Sequence, residues 1–379
     1  MGRFCRQFFQ LQPTMSDPIA TPGELPAAIL ALLDRLHCYT DSEDREELAL
    51  RHGLRRILFQ DRPELQSQRV RLAAYALRML AVQQELVEGL GACGVRALAM
   101  KGVSLSLKLH GELGAREFGD LDIMVPPEQA PVASEFLLEA GYKKVRPTGL
   151  TLSQESAHLR YGKAQSWVHS QSGVQVDLHW RLLSNWIDDA LMEFEELWER
   201  SQLIEAPGAG SWRTLGAEDT LVFLALHGAQ DGWVSLKQVW DMCQALLVLP
   251  VDWEQVWSIS GRRRPLLERS LEMCVRLTGI SHPVAAAGHY RSDEQAFRAW
   301  LEMALSDNTP QMKLLRREFW DCGVLMWLSR VLRATFTPAV DDIASVNLPQ
   351  PLVGFYPLVR AFRLLGKALH RHGVGAEFR

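Results

Sequence analysis

The sequence predicts an α+β fold in which a small mixed β-sheet lies between helical regions. Strand-like and helix-like segments alternate over residues 93–186, whereas both flanks show apolar residues at helical spacing. Hydrophobic residues make up 47% of the chain and charged residues 23%, the balance of a globular protein rather than a disordered or fibrous one. All 12 Trp residues follow residue 166, so the aromatic composition also divides the chain.

We therefore divide the 379 residues into four parts. These are a disordered or variable arm at 1–20, an N-terminal helical subdomain at 21–92, a sheet-containing core at 93–186 and a mainly helical C-terminal domain at 187–379. Thr21-Pro22-Gly23-Glu24 has the form of a capping box with Pro at the first helical position, which predicts that the first helix begins there. The helices predicted for the N-terminal subdomain are 24–39, 43–59 and 64–90.

Short apolar runs bounded by Gly and Pro characterise the core, and they predict strands. The predicted strands are 96–100, 121–125, 142–145, 164–169 and 173–180. Helices are predicted between them at 104–110 and 128–140, and Gly141 is a typical stop for the second.

Helical spacing returns after residue 182. The predicted helices are 188–199, 217–230, 234–248, 252–260, 264–278, 293–305 and 310–335, and the clearest loops are 207–210 and 338–351. No apolar run approaches the roughly 20 residues of a membrane-spanning helix. The six Cys residues form no CxxC pair, which favours a cytoplasmic protein with reduced thiols. A net charge of −4 argues against nonspecific binding to nucleic acid.

The strongest local signal is Gly-Asp-Leu-Asp-Ile-Met-Val at 119–125. Side chains alternate between the two faces of a strand, so Asp120 and Asp122 point the same way and the apolar residues point into a core. Two adjacent carboxylates repel each other unless a divalent cation neutralises them. Mg²⁺ prefers one or two carboxylates together with phosphate oxygens. The alternative is a pair of solvated acids on an exposed strand.

A second alternating strand at 174–180 carries Asp177 and His179 on its polar face. If this strand lies beside the first, Asp177 is a third carboxylate that would complete a metal site. His179 could touch a substrate or orient a carboxylate, and a structural hydrogen bond is the alternative for it. For Asp177 the alternative is a polar residue on an outer sheet face.

Two basic residues precede the acidic strand. Lys101-Gly102 ends one strand and opens a helix, and such a turn lets a phosphate approach the N–H groups of a helix N-terminus. Arg116, four residues before Asp120, could pair with two oxygens of a phosphate. The alternative for both side chains is a solvated surface charge.

In this order, the segments resemble the minimal nucleotidyltransferase fold of the DNA polymerase β superfamily. More narrowly, the sequence resembles an uncharacterised bacterial nucleotidyltransferase family. The residues that carry this resemblance are Met100-Lys101-Gly102, Arg116, 119–125, Ala140-Gly141-Tyr142 and Asp177-Leu178-His179-Trp180. It continues in the helical half at Leu226-His227-Gly228, Trp233, Trp240-Asp241 and 357–365, and so spans roughly residues 45–370.

The resemblance implies that Asp120, Asp122 and Asp177 are catalytic and bind Mg²⁺, with Mn²⁺ as a possible substitute. Asp177 would also help to activate the acceptor hydroxyl. A nucleoside triphosphate (NTP) such as ATP would be held by Lys101, Gly102, Ser104, Arg116, Gly119 and His179. One departure from the superfamily pattern is that Val103 separates Gly102 from Ser104, where Gly or Ser usually follows the Gly directly.

The implied reaction is attack of a hydroxyl on the α-phosphate, with pyrophosphate leaving. The acceptor would be a small molecule, a peptide or a protein. A toxin-like transfer to tRNA is an alternative, because residues 351–379 carry five Arg or Lys and one Glu and predict a basic helical face. A catalytically inactive binding module is another, and the altered turn at Val103 favours it.

His227 and Asp231 would share one face of a predicted helix, because they are four residues apart. They are either a metal-binding pair or, since no third ligand is visible in the sequence, an interhelical contact or a wall of the cleft. Asp241 leaves the same alternatives open.

Overall fold

The computed structural model describes residues 21–39, 44–58, 63–184, 192–206, 208, 210–280, 298, 300–301 and 324–373. The predicted arm at 1–20 lies outside the described residues. So do most of the helix predicted at 293–305, the first part of the helix predicted at 310–335 and the first part of the one predicted at 188–199. The division into domains at residues 92 and 186 stays a prediction.

A five-stranded mixed sheet forms the centre of the described chain, so the predicted α+β fold is confirmed. Its strands are β1 (Leu98–Ala99), β2 (Asp120–Met124), β3 (Tyr142–Arg146), β4 (Ala164–His169) and β5 (Gln175–His179). The strand order is β1-β2-β5-β4-β3. β2 and β5 are parallel, and the other neighbouring pairs are antiparallel.

Two of the helices that follow, α4 and α6, cover one face of this sheet. In chain order, the helices up to β4 are α1 (Leu25–Tyr39), α2 (Arg45–Arg51), α3 (Arg55–Leu58), α4 (Gln66–Ala92), α5 (Gly102–His110), α6 (Ala130–Glu139) and α7 (Leu152–Tyr161). Leu121 and Ile123 of β2 pack with Val176 and Leu178 of β5 in a core that α4 and α6 complete. The acidic residues between them therefore lie on the opposite face, as the period of two requires.

A second core joins the N-terminal helices to the C-terminal half. After β5 follow α8 (Phe194–Glu199), β6 (Gln202–Ala206), β7 (Gly210–Thr214), α9 (Ala217–Asp231), α10 (Leu236–Val248), α11 (Trp253–Ser260) and α12 (Arg264–Thr278), and later α13 (Val324–Phe336), α14 (Val340–Ser345) and α15 (Tyr356–Gly373). Helices α1 to α3 and α9 to α12 bury their apolar sides together. Trp233 is fully buried there, and its carbonyl accepts a hydrogen bond from Trp300 at 2.9 Å.

Four segments differ from the sequence prediction. Helix α7 lies where no element is predicted. The helix predicted at 43–59 is two helices, because Gly53 adopts a φ of +65° after α2. The β6–β7 hairpin was not predicted, because the loop at 207–210 was not recognised as lying between two paired strands. Residues 338–351 are predicted to form a loop, and this prediction is wrong for the residues of α14. The Asp342 carboxylate accepts from the Ala339 N–H at the start of that helix.

Two residues of the predicted basic C-terminal face have an acidic partner. Arg360 and Arg363 of α15 both form ion pairs with the buried Asp342. This face therefore carries less free charge than the sequence indicates.

None of the helices within the described ranges combines the length and the apolar character that crossing a bilayer requires.

The buried His52 predicts a pH dependence of stability. It follows α2, its Nδ1 accepts a hydrogen bond from the Leu236 N–H at 3.1 Å, and burial followed by the Arg51 charge lowers its pKa to about 4. The unfolded chain then takes up the proton first, so the contribution of His52 is present above pH 6.5 and is lost as the pH falls toward 4. We expect this residue to lower the free energy of unfolding by about 2 kcal/mol between pH 7 and pH 5.

Urea unfolding of the full chain at both pH values measures this difference. We expect His52→Gln to lose most of it, whereas His37→Gln on α1 keeps the wild-type difference. A His52→Gln variant with the wild-type pH dependence would contradict the assignment.

Candidate active site

Four polar side chains form one row on the face of the sheet away from α4 and α6. The parallel register places Asp122 opposite Asp177, Asp120 opposite Gln175 and Met124 opposite His179. Because alternate residues of a strand share a face, Asp120 and Asp122 of β2 lie on the same side as Asp177 and His179 of β5. We call these four residues the carboxylate row.

Three members of the row are close enough to share one ion. Among the described residues, Asp122, Asp177 and His179 offer ligand atoms that all lie within 4.8 Å of one another. Asp120 is outside that group but interacts with it. Burial raises the pKa of Asp120, and the negative charges of Asp122 and Asp177 raise it further. The row thus has the repulsion that the sequence predicts for it.

His179 is oriented by its second ring nitrogen. Its Nδ1 lies 3.3 Å from the carbonyl oxygen of Arg181, which can only accept, so Nδ1 donates in this contact. Its Nε2 lies 3.1 Å from Oδ1 of Asp122. A histidine that ligates a metal usually donates its other N–H to a carbonyl or carboxylate in this way. Two carboxylates and an imidazole directed at them therefore fit a divalent cation with oxygen and nitrogen ligands.

Lys101 connects the row to α9. Its Nζ lies 3.6 Å from Oδ1 of Asp122 and 2.9 Å from Nε2 of His227. Nδ1 of His227 lies 3.3 Å from Asp231, which also accepts from Gln238 at 3.0 Å. His227 and Asp231 share a helix face, as predicted, and that face forms a wall opposite the sheet.

These contacts shift two pKa values in a consistent way. Burial acts to raise the pKa of Asp122, but the charge of Lys101 and the contact with His179 hold it well below its usual value. Burial and the charge of Lys101 lower the pKa of His227 well below 6.5. A neutral His227 accepts from Lys101 through Nε2, and its Nδ1, which then carries the proton, lies on the side of Asp231.

The predicted turn at Gly102 lies beside the row. Gly102 opens α5 with a φ of +55°, and a Cβ there would be 3.2 Å from the Asp120 carbonyl oxygen, so the turn requires glycine. Ser104 is fully buried, and its hydroxyl accepts from Nε1 of Trp212 at 2.8 Å. That hydroxyl is therefore engaged in the core, and contact of this turn with phosphate stays a prediction.

Arg116 and Gly119 lie in the loop that leads into β2. Arg116 is almost completely buried, and its Nε donates to both carboxylate oxygens of Asp241 at 2.9 Å. This contact fastens the loop to α10, whereas the alternatives predicted for Asp241 stay open. The Gly119 carbonyl accepts from the hydroxyl of Tyr75 at 3.2 Å.

Two lysines at the site were missed by sequence reasoning. Lys163 precedes β4, and its ammonium makes no hydrogen bond or ion pair with the described residues; burial and the charge of Lys101 lower its pKa, while Asp231, Asp122 and Asp177 act to raise it. Lys237 donates to the Glu117 carbonyl at 3.4 Å, and burial and Arg116 lower its pKa. The sequence signal for Lys163 is its position before a strand. Its place beside His179 follows only from the register of β4 against β5.

A family model described as an uncharacterised nucleotidyltransferase matches residues 47–279. The match takes in the whole sheet, the carboxylate row and helices α9 to α12. No curated protein matches the chain.

The contact between Lys101 and His227 generates a prediction about the site. Replacing Lys101 with Met removes the positive charge and the donor that favour neutral His227, so we expect the pKa of His227 to rise. A titration of the histidine ring signals by NMR measures it. Lys143→Met on the exposed side of β3 is the matched control and should leave the titration unchanged. An unchanged titration of His227 in Lys101→Met would contradict the proposed coupling.

Proposed function

The chain belongs to the family of uncharacterised nucleotidyltransferases, and on that premise we propose that it transfers a nucleoside monophosphate from an NTP to a hydroxyl group. The acceptor hydroxyl belongs to a small molecule, a peptide or a protein, and pyrophosphate is released. The reaction requires Mg²⁺ or Mn²⁺. We also place the enzyme in the bacterial cytoplasm.

The observation that carries this proposal is the meeting of Asp122, Asp177 and His179 on one face of the sheet. Asp120, Asp122 and Asp177 hold the cation in the proposal, and His179 supplies a nitrogen ligand. The cation, once bound, supplies positive charge that binds and polarises the transferred phosphoryl group. Lys101, which pairs with the same carboxylate, can offer its ammonium to a phosphate oxygen.

The chain's own groups have separate tasks in the proposed reaction. The acceptor oxygen forms a bond to the α-phosphorus while the bond from that phosphorus to the bridging oxygen breaks, and pyrophosphate carries away the electron pair. Asp177 takes the proton of the acceptor hydroxyl. The start of α5 at Gly102, together with Lys101, receives the β- and γ-phosphates through N–H and ammonium donors. Burial of Asp122 and His179 keeps these charge interactions strong.

One observation favours an inactive, nucleotide-binding relative as a second candidate. Val103 stands where the superfamily has a Gly or Ser, and the Ser104 hydroxyl already binds Trp212. The turn therefore offers a phosphate fewer side-chain donors. Transfer to tRNA is less well supported, because Arg360 and Arg363 of the basic C-terminal segment are paired with Asp342.

Incubating the full chain with α-labelled NTP, Mg²⁺ and a cell extract tests the activity. We expect one fraction of the extract to acquire label from at least one of the four NTPs. A titration of the chain with NTP measures binding separately. Absence of NTP binding with both Mg²⁺ and Mn²⁺ would overturn the enzyme proposal.

We expect Asp122→Asn to lower the rate of label transfer by about 100-fold or more, because it removes one buried negative charge from the proposed metal ligands. Circular dichroism checks that the fold survives. Glu139→Gln, an exposed acid at the end of α6, is the control and should keep the wild-type rate. Activity that persists in Asp122→Asn would show that this carboxylate is not a metal ligand.

His179 provides a test that does not depend on the acceptor. Since its Nε2 faces Asp122, we expect His179→Ala to weaken Mn²⁺ binding by about 10- to 100-fold, as measured by electron paramagnetic resonance of free Mn²⁺. His37→Ala is the control. Equal Mn²⁺ affinity of the wild type and His179→Ala would exclude the imidazole as a ligand.

A further inference from the structure

A pocket of about 540 Å³ lies between α4 and the loop that precedes β2. Its walls include an apolar and aromatic set, Leu72, Tyr75, Ala76 and Phe118, and a polar set, Gln68, Arg71 and Arg116. A volume of this size is typical of small-molecule sites, as is a lining of aromatic groups with a few polar ones. Sequence reasoning did not find this pocket.

Donors are left over in its polar wall. Arg116 is only 6% exposed, and its Nε is used by Asp241. Its two terminal nitrogens make no hydrogen bond with the described residues. Neither of them is among the fully buried atoms that lack a partner, so both reach solvent. Arg71 likewise makes no hydrogen bond or ion pair in the part of the chain that the structure describes. Both guanidinium groups are therefore available to a ligand that offers acceptors.

The pocket adjoins the carboxylate row at its Asp120 end. The hydroxyl of Tyr75 donates to the carbonyl of Gly119, the residue before Asp120. Phe118 lies within 3.5 Å of the position that a Cβ on Gly102 would take, so its ring also borders the start of α5. A ligand in the pocket is therefore adjacent both to the row and to the proposed phosphate turn.

The strand order limits where the nucleoside of a bound NTP can lie. α5 leaves the sheet from β1, and β2 lies between β1 and β5. Suppose that pyrophosphate leaves beside α5 and that the acceptor approaches Asp177 on β5. The line from the acceptor oxygen through the α-phosphorus to the leaving oxygen then runs across the strands. The nucleoside must then extend along the strands, toward either the Asp120 end or the His179 end. Toward the His179 end lie the polar groups Lys163, His227 and Asp231, which interact electrostatically with the row or with one another, whereas the Asp120 end borders the aromatic pocket.

We propose that the pocket between α4 and the 114–118 loop binds the nucleoside of the NTP, with the base against Tyr75 and Phe118 and its acceptor atoms facing Arg71 and Arg116. Aromatic rings bind bases of every type through their faces, and guanidinium groups donate to base nitrogens and carbonyl oxygens. This inference rests on the proposed function, since it assigns a subsite for the same substrate.

Equilibrium binding of NTP and of inorganic tripolyphosphate to the full chain separates the base from the phosphates. We expect Tyr75→Ala and Arg71→Ala each to weaken NTP binding about 10-fold and to leave tripolyphosphate binding unchanged. Leu77→Ala, an exposed residue of the same helix outside the pocket, is the control and should change neither. Wild-type NTP affinity in both pocket variants, or an equal loss for tripolyphosphate, would overturn the pocket assignment and leave the proposed function intact.

A photoreactive NTP with an azide on the base gives a positive readout. We expect ultraviolet light to attach it to the tryptic peptide of residues 72–78, which contains three of the lining residues, and unlabelled NTP to compete. Label found only on peptides of α9 or α10 would place the base on the other side of the row and overturn the proposal. A wild-type chain that binds neither probe would overturn the proposed function, and the pocket assignment with it.

Discussion

Repulsion among three carboxylates on one partly buried face of the sheet is the constraint on which the site depends. The register of β2 against β5 leaves Asp122 directly opposite Asp177, with Asp120 one step along the same face. Removing charges of one sign from water costs several kcal/mol each unless opposite charge is placed beside them. The fold places Lys101 beside Asp122, and a helical wall closes over the row. That wall packs through its own apolar core, and it meets the row through His227, which contacts Lys101.

Helices α9 and α10 hold the basic residues near the row in place through several linked contacts. His227 accepts from Lys101 and so directs its ammonium toward Asp122, while Arg116 ties the loop before β2 to Asp241 of α10. The Trp residues of this half support the wall from behind: Trp233 and Trp240 are buried in the core that these helices share. Among the described residues, these Trp side chains therefore belong to a packed helical core rather than to an aromatic ligand surface.

The sequence predicts the parts of the site that depend on local periodicity. Alternation within each strand correctly places Asp120 with Asp122 and Asp177 with His179, because that pattern needs no knowledge of the neighbours. Lys163 could not be predicted in the same way, since it reaches the row only through the pairing of Ala164 with His179. The break at Gly53 and the helix begun at Ala339 also depend on tertiary contacts: the Arg55 N–H donates to the distant Glu117, and Asp342 is held by Arg360 and Arg363.

The position of Lys101 also links the two halves of the proposed substrate complex. Lys101 carries a single positive charge, and its ammonium forms an ion pair with Asp122 at 3.6 Å. When Asp122 is neutralised by a divalent cation, Lys101 no longer has to compensate that carboxylate. Its other contacts, the neutral His227 and the face of the Phe223 ring, do not neutralise its charge, so its ammonium can pair with a phosphate oxygen. Binding of a cation to the carboxylate row and binding of phosphate to Lys101 therefore favour each other. The cation leaves the charge of Lys101 without a partner, and the phosphate supplies that partner.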